Sequence, residues 1–258
     1  MMRLKDKVAL VIGGSQSLGE AISSEFARQG AQVIVNSRPR EEPPAVVTRL
    51  TAEGLQVAWE PGDMNDPASM VAVVERIVAR FGRLDILVVS GSPGGGKPDL
   101  FEEMPTTEYA RMLNGQLISR MNCLHAVVQP MAKQGYGKVV FVTSDAGRTP
   151  TPSETLVGTA AAGLMYFTRA VGKELARKGI RVNCIATTLT KDTPIHNYAQ
   201  LYGKDHVLSK AFAKIEAQTP FGMNVPSDIA KTALYFASSD SDQVSGSVIS
   251  VNGGLSFP

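Results

Sequence analysis

A glycine-rich turn near the start of the chain is the arrangement of residues with the clearest chemical use. The turn Gly13-Gly14-Ser15-Gln16-Ser17-Leu18-Gly19 follows a short apolar run and opens a helical pattern. Glycines let the backbone approach a pyrophosphate, and a helix N-terminus offers free N–H groups and positive potential. The turn therefore predicts a phosphate-binding site, although a turn that only packs a helix against a strand has the same composition.

The other polar groups exclude several kinds of site and partner. The three histidines, at 125, 196 and 206, lack zinc-ligand spacing, so no metal site is expected. Cys123 and Cys184 are far apart, which is typical of reduced core thiols in the cytoplasm. The formal net charge is +2 without a basic run, and no apolar run is long enough to span a bilayer. We therefore expect a cytoplasmic protein with neither a nucleic-acid nor a membrane partner.

Short apolar runs alternate with helical patterns, and this alternation predicts the elements that position these groups. The predicted strands are Val8–Ile12, Gln32–Val35, Gln56–Trp59, Ile86–Val89, Val139–Val142, Arg181–Ile185 and Val248–Val251. The predicted helices are Glu20–Gln29, Pro67–Phe81, Thr106–Lys133, Thr155–Arg177 and Ser227–Ala237. The pattern is typical of an α/β fold: one doubly wound domain over residues 1–258, with a seven-stranded parallel sheet and helices on both faces.

Two segments are expected to border the ligand crevice of such a sheet. The loop Gly91–Pro98 follows a predicted strand, and loops at the carboxyl ends of strands line the crevice. The long stretch 187–220 is mixed in character and is a candidate substrate lid.

The glycine turn and several later motifs resemble those of the short-chain dehydrogenase/reductase family, in particular its β-ketoacyl-carrier-protein reductases. The family motif TGxxxGxG corresponds to residues 12–19, with Ile12 in place of the threonine and Ser17 in place of the middle glycine. Asp63 lies where the family's acid reads adenine. The family's NNAG loop has become Val89-Ser90-Gly91-Ser92, and its proline-glycine near the nicotinamide has become Thr187-Thr188. The resemblance covers nearly the whole chain and implies a Rossmann-like fold.

The resemblance also implies a dinucleotide cofactor. Its expected contacts are Gly13, Ser15, Ser17, Leu18, Gly19, Arg38, Asp63, Met64 and Gly91. An arginine after the second strand accommodates a 2′-phosphate, so Arg38 favours NADP(H) over NAD(H). Two alternatives stay open: Arg38 is a solvated loop residue, and the Cβ of Ser17 narrows the phosphate site so that no cofactor binds.

Family members carry an asparagine, a serine, a tyrosine and a lysine as catalytic residues. The tyrosine exchanges a proton with the substrate oxygen, the lysine lowers its pKa, the serine orients the carbonyl, and the asparagine supports a water relay. Spacing from the surrounding motifs places Gln116, Ser144, Val157 and Ala161 at these positions. Since neither valine nor alanine transfers a proton, Ser144 is expected to be vestigial.

No neighbouring residue replaces the missing pair. Tyr166 lies nine residues after Val157 and therefore on the opposite face of a helix. His196 or Asp145 is a candidate general acid or base in a repurposed site, and the alternative is that both are solvated loop residues.

These departures predict a non-catalytic structural or regulatory subunit of an oligomeric dehydrogenase. The chain is similar in this respect to the degenerate subunit of heteromeric family members such as 2-(hydroxybenzyl)succinyl-CoA dehydrogenase. The expected assembly is a homo-tetramer, or a hetero-oligomer with an intact short-chain dehydrogenase. Two alternatives remain: an active NADP(H)-dependent oxidoreductase on a hydroxyl or carbonyl substrate with a non-standard proton donor, and a dinucleotide-sensing module.

Overall fold

Seven parallel strands form one sheet in the order β3-β2-β1-β4-β5-β6-β7. The structure is a computed structural model, and it describes residues 2–92, 100–194, 196–197, 201 and 207–256. The strands are β1 Val8–Ile12, β2 Gln32–Ser37, β3 Val57–Pro61, β4 Ile86–Val89, β5 Gly137–Ser144, β6 Ile180–Thr187 and β7 Val248–Val251. Every neighbouring pair is parallel, which confirms the predicted sheet.

Helices cover both faces of the sheet, also as predicted. They are α1 Ser17–Arg28, α2 Ala45–Ala52, α3 Pro67–Phe81, α4 Thr107–Leu113, α5 Ser119–Lys133, α6 Thr155–Leu175, α7 Val207–Gln218 and α8 Pro226–Ala237. One core contains residues of α1, α2 and α8, and the opposite core contains residues of α3, α5 and α6. Side chains alternate between the two cores along a strand: Val140 lies in the first core and Phe141 in the second.

The predicted long helix 106–133 is interrupted by a π-helical turn, Asn114–Ile118, between α4 and α5. The N–H of Ser119 donates to the carbonyl of Asn114, five residues back, where an α-helix would use the residue four back. A single wider turn leaves the hydrophobic period almost unchanged, so the sequence pattern gave no sign of it. Two helices, α2 and α7, were not predicted, and α7 lies within the candidate lid.

Three contacts of one side chain fix the start of β5 to a distant part of the chain. Lys138 is fully buried, and its Nζ donates to the carbonyl of Ser238 at 2.9 Å and to Oγ of Ser241 at 3.0 Å. The same Nζ lies 2.8 Å from the carboxylate of Asp242. The charge of a buried lysine is thus satisfied by the segment that follows α8. Within the described residues, no helix is long and apolar enough to span a membrane.

Candidate functional site

The glycine turn brings together three of the predicted cofactor residues at the carboxyl ends of β1 and β4. Gly13 has a φ of +71°, and a Cβ on it would lie 2.5 Å from Cα of Gly91. A Cβ on Gly19 would lie 2.0 Å from the carbonyl oxygen of Gly13. The N–H of Gly91 donates to the carbonyl of Ile12 at 3.1 Å. Only glycine fits at positions 13 and 19, so the turn that approaches a phosphate in this fold is preserved.

Ser17 keeps the backbone shape of a glycine although it is not one. It is the first residue of α1 and has a φ of +54°, in the left-handed region that L-residues avoid. The first N–H groups of a helix have no partner inside it, and those of Ser17, Leu18 and Gly19 belong to this first turn. The serine therefore adopts a backbone conformation that favours glycine, at a cost in local conformational energy.

The ends of β2 and β3 carry the polar residues that the sequence assigned to the adenosine side. Arg38 is exposed and forms no ion pair within the part of the chain that the structure describes. Asp63 accepts a hydrogen bond from the N–H of Asn65 at 2.9 Å. Met64 is buried, and its sulfur lies 3.2 Å from the position that a Cβ on Gly91 would take. Arg38 and Asp63 follow paired strands, so they lie at the same edge of the sheet as the glycine turn.

Ser144 is the last residue of β5 and pairs with Thr187 of β6. Its Oγ accepts a hydrogen bond from the N–H of Ala146 at 3.2 Å, and no histidine, lysine or carboxylate among the described residues is hydrogen-bonded to it. The turn that follows packs directly on α6, because a Cβ on Gly158 would lie 2.7 Å from the carbonyl oxygen of Ala146. The structure thus places Ser144 next to the helical turn that contains positions 157 and 161.

Positions 157 and 161 are both occupied by hydrophobic residues that pack against other apolar side chains. Val157 packs in a small cluster with Met104, Met112, Leu156 and Tyr109. Ala161 is 2% exposed and packs with Met165, Ala186 and Val248. A Cβ on Gly147 would lie 2.8 Å from Cβ of Ala161. Gly158 and Ala161 of α6 are therefore used for packing within the chain, and no polar group stands at position 157 or 161.

The two substitute acid–base candidates have other hydrogen-bond partners. Asp145 is 5% exposed, and its carboxylate accepts from Oγ of Ser250 at 3.2 Å, from Nδ2 of Asn252 at 2.7 Å and from Oγ of Ser256. Nδ1 of His196 accepts from the N–H of Asp192 at 3.2 Å. The carboxylate of Asp145 thus holds β7 and the segment that follows it. It makes no hydrogen bond to the side chain of Ser144, its neighbour in sequence.

A network of hydrogen bonds lies at the carboxyl end of β6. The resemblance implies that the nicotinamide of a dinucleotide would lie near this end. Nδ2 of Asn224 donates to Oγ1 of Thr187 at 2.9 Å and to Oγ1 of Thr190 at 2.8 Å. All three residues are buried. Parts of the two segments expected to border this region, residues 93–98 and the lid residues Tyr198 and Tyr202, lie outside the described residues. The turn that would hold phosphates fits a dinucleotide, and at the positions expected by spacing for the catalytic tyrosine and lysine the structure has Val157 and Ala161.

Gln116 lies on the π turn, and beside it the structure shows a residue that the sequence analysis missed. Arg120 is 3% exposed, and its Nη1 donates to the carbonyls of Gln116 at 2.6 Å and Gly115 at 3.1 Å. Burial lowers the pKa of Arg120 to about 10. A charged residue within an otherwise apolar helical face was the signal available in the sequence.

A separate cavity of about 490 Å³ lies between α3 and α5, and none of the predicted site residues lines it. Its wall includes Val71, Val74, His125 and Pro130. The described residues contain no group of three or more histidine, cysteine or acidic side chains that could hold a metal ion.

Comparisons with known proteins agree with this fold. Residues 13–256 match the family model described as enoyl-(acyl carrier protein) reductase. The chain is 31% identical to 3-oxoacyl-[acyl-carrier-protein] reductase FabG of Chlamydia trachomatis, with 98% of both chains covered. It is also 31% identical to (2S)-[(R)-hydroxy(phenyl)methyl]succinyl-CoA dehydrogenase subunit BbsD of Thauera aromatica, with 99% of both covered. The crystal structure of a putative short-chain dehydrogenase/reductase from Burkholderia xenovorans superposes with a TM-score of 0.89 at 30% identity, covering 98% of this chain and 97% of that one.

Proposed function

The chain belongs to the short-chain dehydrogenase/reductase family of oxidoreductases, and from that premise we propose that it is a non-catalytic subunit of an oligomeric dehydrogenase. The observation that carries the proposal is the hydrophobic packing around Val157 and Ala161. These two positions correspond by spacing to the family's proton donor and to the lysine that lowers its pKa.

The loss of both groups removes the proton transfer on which the family's chemistry depends. A positioned general acid or base contributes roughly 10²–10⁴-fold to a rate. Ser144 has a hydroxyl but no base in hydrogen-bond contact among the described residues, so it is not activated as an acid or a nucleophile. The names of the relatives are those of enzymes, and the proposal therefore rests on this chain's own residues.

A chain without catalytic activity could still have a structural or regulatory role through its contacts with other subunits of an oligomer. We propose a homo-tetramer, or a hetero-oligomer with an intact short-chain dehydrogenase. The second form is supported by the relative from Thauera aromatica, whose name identifies it as a dehydrogenase subunit. The outward face of α6 supports a contact there, because it exposes Ala162 and Tyr166, the latter to 72%. Native mass spectrometry of the chain, alone and co-expressed with an intact relative encoded beside it, distinguishes the two forms.

The decisive experiment measures turnover by the purified chain with NADPH or NADH and a panel of ketones, and with the oxidised cofactors and alcohols. We expect no turnover above the background of a Ser144→Ala variant. The double variant Val157→Tyr/Ala161→Lys, which restores the family's pair, serves as the positive comparison. Robust turnover by the natural chain that Ser144→Ala abolishes refutes the proposal. Turnover that His196→Ala abolishes instead supports an active oxidoreductase with a non-standard proton donor.

The preserved phosphate turn favours a second candidate function, a dinucleotide-sensing module. Gly13, Gly19 and the left-handed backbone at Ser17 retain the family's phosphate-binding shape, and the exposed Arg38 suits a 2′-phosphate. A bound dinucleotide would supply hydride chemistry in an intact relative; here we expect only binding. Titration calorimetry with NADPH, NADH and adenosine 2′,5′-bisphosphate tests this candidate, with Arg38→Ala compared with the neighbouring Arg40→Ala. No heat with any of the three ligands excludes it.

A further inference from the structure

Arg120 is a buried arginine that uses only one of its three nitrogens for hydrogen bonds to the described residues. Its Nη1 donates to two carbonyls of the π turn, those of Gly115 and Gln116. Its Nε is buried without a hydrogen-bond partner. Its Nη2 makes no hydrogen bond to any residue that the structure describes. The unused nitrogens, Nε and Nη2, form one edge of the planar guanidinium group.

Another arginine of this protein shows what that edge binds. Arg83 donates from Nε to one carboxylate oxygen of Asp85 at 2.8 Å and from Nη2 to the other at 2.6 Å. This paired geometry is the usual recognition of a carboxylate by arginine. Asp85 itself is fully buried, so the fold already uses a bidentate pair of this kind to satisfy a buried charge.

Among the residues that the structure describes, Arg120 has no such partner. No carboxylate forms an ion pair with it in the described residues, and the titratable groups that influence its pKa are the thiols of Cys123 and Cys184. Burial raises the pKa of both thiols to about 12, so they are neutral at pH 7. An interior charge without a counter-charge is strongly unfavourable, and natural proteins seldom retain one without a partner.

We infer that the free edge of Arg120 is a binding site for a small-molecule carboxylate. Three features support a carboxylate: two donors that lie in one plane, one positive charge to neutralise, and a burial that admits only a small group. The π turn places the site next to Gln116, which is half-buried and whose carbonyl accepts a hydrogen bond from Arg120. Local π turns are frequent at functional sites, because they redirect backbone carbonyls. The inference is independent of whether the chain binds a dinucleotide or turns over a substrate.

The test uses formate and acetate as probes, with the full-length protein at constant ionic strength and sodium chloride as the reference salt. The thermal unfolding midpoint is measured against probe concentration for the natural chain and for Arg120→Lys, which keeps the charge but lacks the planar edge. Arg169→Lys, at an exposed arginine on α6, is the matched control. We expect a saturable rise in the midpoint with formate for the natural chain and the control, and none for Arg120→Lys.

A second measurement does not depend on the stability of any variant. In protein labelled with ¹⁵N-arginine, the Nε–H resonance assigned to Arg120 is followed during the formate titration. We expect that resonance to shift with the same saturation as the thermal response, and acetate to give the same shift if the edge opens to the crevice. A midpoint and a resonance that do not respond to formate, as for an edge that holds only water, overturn the inference. An equal response from Arg120→Lys overturns it too.

Discussion

Replacing Ser17 by glycine tests whether the left-handed backbone conformation at this position lowers the stability of the protein. With a φ of +54°, Ser17 occupies a conformation that costs an L-residue about 1–2 kcal/mol. Glycine removes that cost, but it loses about 0.5–1 kcal/mol through the greater freedom of the unfolded chain. The difference predicts that Ser17→Gly raises the free energy of unfolding by about 0.5–1 kcal/mol. For a chain of this length the thermal midpoint should then rise by about 1–4 °C.

The assay is urea denaturation followed by circular dichroism, with the slope of the transition compared between proteins. The matched control is Ser15→Gly, in the same turn, because Ser15 does not have a positive φ. At position 15 there is no backbone strain for glycine to relieve, so we expect Ser15→Gly to lower the free energy of unfolding by about 0.5–1 kcal/mol. If Ser17→Gly is as unstable as Ser15→Gly, the reasoning about the left-handed conformation is wrong.

Three further substitutions have expected outcomes. Gly19→Ala should lower the free energy of unfolding by more than about 2 kcal/mol in urea denaturation, since its Cβ would lie 2.0 Å from the carbonyl oxygen of Gly13; a neutral result would show that the turn can shift. Lys138→Met should cost about 1–3 kcal/mol in the same assay, because it leaves buried partners of the ammonium unsatisfied; an added loss in the double variant with Asp242→Ala would contradict a direct coupling. Asp145→Ala should release the segment after β7, seen as faster proteolysis there with little change in the global unfolding midpoint; unchanged proteolysis would count against the anchor.

The strands and most helices could be predicted because their residues repeat with regular periods. Strands buried on both faces, such as Val8–Ile12, are continuous apolar runs in the sequence. An aspartate before a helix is a common cap, and the carboxylate of Asp66 accepts from the N–H of Ala68 at 2.9 Å at the start of α3. The helix α2, which has only eight residues, was not predicted. The π turn was missed because one wider turn changes the period too little.

The candidate site was predictable only where a backbone shape required a particular residue type. Gly13 approaches Gly91 and Gly19 approaches Gly13 so closely that no side chain fits between them, while their predicted contact with a cofactor stays a prediction. The partners of Asp145 and Arg120 could not be found this way. They depend on which distant or neighbouring atoms lie within hydrogen-bond distance, and sequence spacing carries no information about that.

The contacts of β5 with the last part of the chain also constrain how the protein is made. Lys138 finds its partners about a hundred residues later, at 238–242, and Asp145 finds its partners at 250–256. During synthesis, a central strand of the sheet therefore emerges long before the groups that satisfy its ends. Contacts of such high sequence separation slow folding and leave intermediates exposed. A nascent chain of this protein should stay dependent on chaperones until its final residues have left the ribosome.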